Sequence, residues 1–515
     1  MAATERLRYS IRNAKTSLVF YFIMLLVNLF SRKIFLEFLG DTLNGLTTTM
    51  QFTIGLLNMA DIGIVTAISC ALFQPVFNND KEEINRIISL FCFLFRIVGF
   101  VIIGIGMIIL FFLPMWVKEE VPTPILVVSF LTFLFTTSLS YFVNYKQQLL
   151  LASQKTYIVT RIQNSVIILK ILAQVIALKY LGQGYLTWLG IEAVFAVLYS
   201  VVLEWKVRKE YPWLHPSYAL GKKIRREYKY IFRNLKQIVS HKFANVILTQ
   251  TDSIIIAHVI SLVTVTFYYN YAIIITKLTS LIGALFSGSW AGVGNLISEN
   301  NRQKTILVFK QYNAITFFLA GVICFCVWLL ADPFISVWIG DKYILDNRIF
   351  IVMVISLYIA IIRQPLTVFL NGYSLYKDTW SAWCEAGMNL LISIIGGIHF
   401  GLFGVVLGTA ISTGANTVLW KPYFLYREGF KESCKEFYFT FAKYLGILIA
   451  LIIGFKILLS EIIVIECKNL FDFCIYGIII FTGFSLIYGS ILYLSSSSMR
   501  SAASLIKVIR TRKKI

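Results

Sequence analysis

Three basic side chains stand where the chain is most apolar. Lys170 lies inside NSVIILKILAQVIALK, and Lys277 and Arg363 sit near the middle of two further apolar segments. A charge at the centre of a bilayer costs roughly 2.5–3.5 kcal/mol on insertion scales, so such residues face a bundle interior or wet cavity, or pair with an acid. The in-segment charges are Arg96, Arg161, Lys170, Lys242, Lys277, Arg363 and Lys443, opposed by Asp61, Glu192, Asp252 and Glu385. Arg161, Lys242 and Lys443 lie close enough to a segment end for their stems to snorkel. Glu385 is also shallow, and Arg96 is intermediate. For Lys170, Lys277 and Arg363, a buried ion pair with Asp61, Glu192 or Asp252 competes with a place on a cavity wall. Seven basic against four acidic residues favours an anionic ligand, because phosphate and carboxylate groups match Lys and Arg donors.

Helical geometry groups some of these with neutral polar residues. At about 100° per residue, Gln163, Lys170 and Gln174 fall within about 40° of one another. His241, Asn245 and Asp252 form a second stripe, and Thr47, Gln51 and Asn58 a third. Lipid penalises each of these faces, so three stripes on different helices predict a shared aqueous interior.

The elements that position these residues follow from composition. Hydrophobic residues make up 58% of the 515 and charged residues 14%, with a mean hydropathy of +0.76. Soluble domains carry about 25% charged residues, so the chain reads as an all-α polytopic membrane protein. About fourteen spans of roughly 20 residues are expected, at 14–36, 43–73, 86–113, 123–144, 157–179, 184–203, 237–260, 265–290, 305–330, 349–371, 380–399, 402–424, 440–459 and 474–495. The N-terminal MAATERLRYSIRNAK reads as an interfacial helix before a first anchor, with no secretory signal.

Most of the 47 Lys and Arg residues fall on the side of the two termini, which predicts cytoplasmic ends. The basic stretch 204–236 then divides an N-terminal lobe, 1–203, from a C-terminal lobe, 237–424. Six spans on each side imply parallel repeats. ALKYLGQGYLTWLG and GIHFGLFGVVLG, two aromatic-glycine turns, give weak support. Two further spans, 425–495, and a basic cytoplasmic tail, 496–515, complete the chain.

Several functions are disfavoured. The net charge of +21 reads as topology signal and contact with anionic membrane lipids rather than nucleic-acid binding. No G-x-x-x-x-G-K-[ST] phosphate loop is present. The four histidines, His215, His241, His258 and His399, are scattered, and no catalytic or metal-ligand spacing stands out. No cofactor, metal or disulfide framework is expected.

VNLFSRKIFLEFLGDTLNGLTTTMQFTIGLLNMADIGIVTAI resembles the opening of bacterial polysaccharide flippases through Arg32, Leu39-Gly40, Gly45 and Asp61-Ile62-Gly63. LTQTDSIIIAHVISLVTVTFYYNYAII is similar to that family's seventh and eighth spans, with Thr251-Asp252. Ala257-His258 departs from the family, where a Gly is common. FGLFGVVLGTAIS resembles its turn before span twelve. The family belongs to the multidrug/oligosaccharidyl-lipid/polysaccharide exporter superfamily.

The resemblance implies two lobes around a central cationic cavity. That cavity would alternate access to move an undecaprenyl-diphosphate-linked oligosaccharide across the bacterial inner membrane, for O-antigen, capsule or related synthesis. It would leave room for partnership with polymerase and chain-length machinery. Lys170, Lys277, Arg363, Arg96, Arg161, Gln163, Gln174 and Asn245 are the expected cavity set. Asp61, Glu192 and Asp252 are expected to couple an ion or form structural pairs. A lipid II flippase and a cation-coupled multidrug exporter are the rivals, and a membrane enzyme is a distant one.

Overall fold

The computed structural model describes residues 3–117, 121–228, 236–287, 290–373, 375, 377–462 and 469–512. Helices dominate, and the described residues hold no strand. Among the described residues, twelve helices are long and apolar enough to cross a membrane. In hydrocarbon a helix satisfies its backbone groups internally, which is why this composition folds this way. Large apolar side chains such as Phe111 and Leu494 stay exposed, as lipid rather than water would solvate them.

Twelve rather than fourteen arises at two places. The expected spans 14–36 and 43–73 share one helical run, Ala3–Leu57, broken only at Gly40 (φ 78°). A positive φ is open to glycine without steric cost, so Gly40 supplies the bend. The rest of the expected second span passes through a 3-10 turn, Asn58–Asp61, into Ile62–Asn78. The expected span 237–260 is the helix Lys236–Val259, but Gln237, His241, Lys242, Asn245, Gln250 and Asp252 dilute it. Among the described residues only Val246–Val259 counts as an apolar helix there, and it is shorter than a span.

The chain forms two compact units, Met1–Thr266 and Phe267–Ile515. The boundary lies beyond the basic stretch 204–236, and the helix Lys236–Val259 packs within the first unit. A Cβ on Gly55 would lie 2.6 Å from its Gln250 Oε1, and the residues after it seat at Gly45, where an added Cβ would lie 1.8 Å from the Leu262 carbonyl oxygen. Thr266 Oγ1 donates to the Asp41 carbonyl at 2.7 Å, and Arg32 Nη2 to the Thr266 carbonyl at 3.4 Å. Arg32, Gly40 and Gly45, three residues that carry the family resemblance, thus bend the first helix and seat residues 262–266.

In the first unit the described part of the basic stretch, as far as Tyr228, packs onto the bundle. Its short helix Tyr218–Ile224 lies against Lys81–Trp116, where a Cβ on Gly221 would be 2.1 Å from the Ser89 carbonyl. Tyr228 donates to Glu83 at 2.7 Å nearby.

The second unit is built on Arg302–Ile339, Asn347–Gly372, Thr379–Phe400 and Leu402–Phe430. Phe309, Phe369, Tyr426 and Phe430 form an aromatic core. The helix Leu470–Ser495 packs on Arg302–Ile339, with Phe325 stacked on Phe484 at 3.8 Å and Gly321 leaving room for the Tyr488 ring.

Candidate functional site

In the first unit the polar residues converge between two antiparallel helices. Thr156–Lys179 and Tyr185–Glu210 are joined by residues 180–184. Lys170 and Gln174 stand one turn apart on the first, facing Trp188 and Glu192, one turn apart on the second. Lys170 Nζ meets Glu192 Oε1 at 2.6 Å, and Gln174 Nε2 donates to Glu192 Oε2 at 3.1 Å and to the Trp188 carbonyl at 3.3 Å. Gln174 is buried, while the Lys170 and Glu192 side chains keep 20% and 15% exposure.

Aromatic groups shield one side. Trp188 stacks on Tyr185 at 5.8 Å and meets Phe35 edge-on at 5.1 Å. The Tyr185 hydroxyl lies 2.9 Å from Thr47 Oγ1 and 3.2 Å from Ser129 Oγ. Of the two alternatives weighed for Lys170, the ion pair with Glu192 is therefore formed.

Two further rungs follow along the helix Tyr185–Glu210. Lys146 pairs with Glu204 at 2.6 Å and Lys155 with Glu210 at 2.7 Å. Lys155 precedes the apolar segment. Burial alone would lower its pKa, but the Glu210 hydrogen bond and the charges of Tyr211 and Glu210 outweigh it, and the ammonium titrates above its usual value.

The second unit assembles a different cluster. Arg363 grips Glu385 with both terminal nitrogens, Nη1 to Oε1 at 2.6 Å and Nη2 to Oε2 at 3.0 Å. Asn416 Nδ2 donates to the same Oε2. The Glu385 side chain has 0% exposure and Arg363 26%. Lys421 stands in the same region and feels the charges of Arg363, Asp378 and Glu385. Its helix is irregular: π turns at Ala415–Trp420 and Leu425–Phe430 flank Lys421–Phe424. Single π turns inside helices are rare and frequently mark functional sites.

The other expected residues are dispersed. Arg96 is exposed and lies over the Tyr218 ring at 5.3 Å, and exposed Arg161 lies over Tyr157 at 5.5 Å. Gln163, the outer member of its stripe, is exposed. In the third stripe Thr47 is taken by Tyr185, Asn58 accepts from Tyr141 at 3.0 Å, and Gln51 is exposed. Asp252 is buried and Lys277 half-buried. The side chains of Asp61, Asn245, His241 and Lys242 lie outside the described residues. His258 Nδ1 meets the Trp116 carbonyl at 3.0 Å, at the end of Lys81–Trp116.

Two residues of the second cluster escaped the sequence reading. Glu385 is shallow by its position along the segment, yet neighbouring helices bury it. Lys421 sat three residues inside the drawn end, 424, but the helix runs on to Phe430 and places it nine residues in. The apolar and aromatic content of WKPYFLYREGF was the available signal. No group of three metal-binding side chains occurs among the described residues.

No family model and no curated relative matches the sequence. Among solved structures, the chain is similar to "Lipid II flippase MurJ, inward closed conformation", at 17% identity and a TM-score of 0.61, covering 94% of this chain and 99% of that one. It is also similar to "Inward-facing conformation of a multidrug resistance MATE family transporter of the MOP superfamily", at 15% identity and a TM-score of 0.58, covering 78% of this chain and 94% of that one. At these identities the likeness establishes the fold alone: this is a multi-pass membrane chain folded like those two structures.

Proposed function

We propose that this protein is a flippase. It carries an undecaprenyl-diphosphate-linked oligosaccharide across the bacterial inner membrane by alternating access, for O-antigen, capsule or related surface-glycan synthesis, with both termini cytoplasmic. The observation that carries the reading is the basic excess within the apolar helices of a chain with this fold. Basic groups inside a membrane suit a cargo whose head is a phosphate ester. Glu192 and Glu385 neutralise part of that excess. Lys277 and Lys421 supply further basic groups, and Arg363 keeps partial exposure beside its acid.

Transport by this route needs no nucleotide, and the basic bias runs against a cationic drug as cargo. A second reading, lipid II itself as cargo, is favoured by the fold match to a lipid II flippase over 94% of this chain.

The test uses inverted vesicles loaded with labelled undecaprenyl-diphosphate oligosaccharide. Wild-type protein is expected to move it to the far leaflet, and Arg363→Ala and Lys277→Ala to slow it at equal protein levels. Lipid II added as a competitor separates the two cargoes: strong competition assigns lipid II, none assigns the surface-glycan precursor. Absence of movement for either lipid, with efflux of a cationic dye instead, would transfer the protein to drug export.

A further inference from the structure

Among the buried charges of the second unit, Asp378, Glu385 and Lys421, only Lys421 lacks a partner among the described residues. It is 8% exposed. Glu385 is already held by two Arg363 nitrogens and by Asn416. Asp378 accepts from Ser381 Oγ at 3.1 Å and stands at the N-terminal end of Thr379–Phe400, where the helix dipole stabilises an anion. Both acids and Arg363 act on Lys421 electrostatically, but neither acid forms an ion pair with it.

A buried ammonium without a partner is costly, and chains keep such groups for a use. Lys421 has unpartnered company. Thr417 Oγ1 and Trp420 Nε1, one turn and one residue before it, are buried and make no hydrogen bond to protein, and neither does Asn416 Oδ1. The hydroxyl, the indole N–H and the ammonium are donors. The π turn Ala415–Trp420 carries Asn416 onto Glu385, and Lys421 follows directly on that turn. Donors in excess of acceptors, in a region already holding a guanidinium, define an anion site.

We propose that Lys421 and Arg363 form a binding site for a phosphate-ester group, with Glu385 as a built-in counter-anion that holds Arg363 until the phosphate takes its place. Thr417 and Trp420 supply neutral donors to the same anion. Arg363 offers the bidentate fork that phosphate shares with carboxylate, so one group replaces the other without a change of rotamer. The site itself stands on the geometry. Only the identity of the ester, a lipid-borne diphosphate, rests on the flippase reading.

The experiment titrates inorganic diphosphate into the full-length protein in phosphatidylcholine nanodiscs, read by calorimetry and by melting temperature. Wild type is expected to bind and to melt higher with diphosphate. Lys421→Met is expected to weaken binding about tenfold or more and Lys421→Arg to keep it. The unliganded Met variant should melt no lower than wild type, since it loses an unpaired buried charge. If the Met variant does not fold, Lys421→Gln takes its place. Equal binding by the uncharged variant, or no binding by wild type, overturns the site.

A second set of nanodiscs contains phosphatidylglycerol and no diphosphate. Stabilisation there that depends on Lys421 supports the site with a phospholipid headgroup as occupant, and its absence supports a diphosphate. Transport of the lipid-linked oligosaccharide is measured alongside. Transport without diphosphate binding overturns the site and leaves the flippase reading. Lys421-dependent binding without transport overturns that reading and leaves the site.

Discussion

Two helical hairpins, one in each unit, are built alike at the turn and differently along their length. The turn between Thr156–Lys179 and Tyr185–Glu210 contains Gly182 at φ 59°, and Gly401 at φ 60° joins Thr379–Phe400 to Leu402–Phe430. Beyond the turns they diverge. The first hairpin is joined across by side chains, Lys170 and Gln174 on Glu192. The second adds close backbone approach to its side-chain bonds: a Cβ on Gly404 would lie 2.0 Å from the Gly396 carbonyl oxygen, and one on Gly408 2.7 Å from the Ser393 nitrogen, while Asn389 donates to Thr409 at 2.9 Å.

Close glycine packing leaves no room for a charged pair between the helices. The acid of the second hairpin, Glu385, lies beyond those glycine contacts, where it meets Asn416 across the hairpin and Arg363 on the preceding helix. A pair inside a hairpin is a fastening between two helices. A pair at a junction of three helices, with Lys421 beside it, can open to a ligand without separating the hairpin.

The largest effect should come from attacking the backbone contact. Gly404→Leu places a side chain where the Gly396 carbonyl stands, and nothing flexible can move aside. Loss of monodisperse protein in gel filtration is expected. Gly190→Ala in the first hairpin is the control, because nothing lies within 4 Å of its Cβ position, and normal yield is expected. Equal behaviour of the two variants would break the comparison.

Next comes Glu385→Ala. It strands the Arg363 guanidinium and the Asn416 amide and removes an acid that acts on Lys421. Removing one partner of a buried pair costs about 3–5 kcal/mol, and the 0% exposure of Glu385 places it in that class. A thermal melt in detergent should show the loss, and Glu385→Gln should recover part of it. A melting temperature within error of wild type for the Ala variant would mean that water already reaches the cluster.

Glu192→Ala should cost less, about 1–3 kcal/mol. Lys170 keeps 20% exposure, which gives its ammonium a route to other partners once the acid is gone. The same melt ranks the two acids, and a larger loss for Glu192 than for Glu385 would reverse the assignment of which pair is the sealed one.

How much of this could be read from residues alone differs between the hairpins for a physical reason. Lys170, Gln174 and Glu192 announce themselves, because a single helical period lines up the first two and a short turn brings the third opposite. The class of fold is equally plain, since apolar runs of span length leave few alternatives. Arg363 and Glu385 need the packing of a third helix, which no local pattern encodes, so depth along the segment was a poor guide to burial. The π turns that set the register of Lys421 are a tertiary property as well. Arg96 and Arg161 lie over tyrosine rings outside the two charge clusters, a choice that composition and spacing leave open.

The smallest effect is expected at the last rung of the first hairpin. Lys155 meets Glu210 at the end of the helices, where Lys206 also pairs with Glu210 at 2.9 Å, so Lys155→Met leaves the acid a partner and should cost about 1 kcal/mol or less. The pH dependence identifies the source of even that small term. The Lys155 pKa is raised in the folded protein, because the Glu210 hydrogen bond and nearby charges outweigh the lowering by burial. A raised lysine pKa means that the stabilisation is fully present below the unfolded value, about 10.4, and is lost as pH rises through the higher folded value. The gap in melting temperature between wild type and Lys155→Met should therefore be constant from pH 6 to 9 and close above about pH 10.4. A gap that persists there would mean that the lysine stem, packed near Tyr211, stabilises the turn and the charge does not.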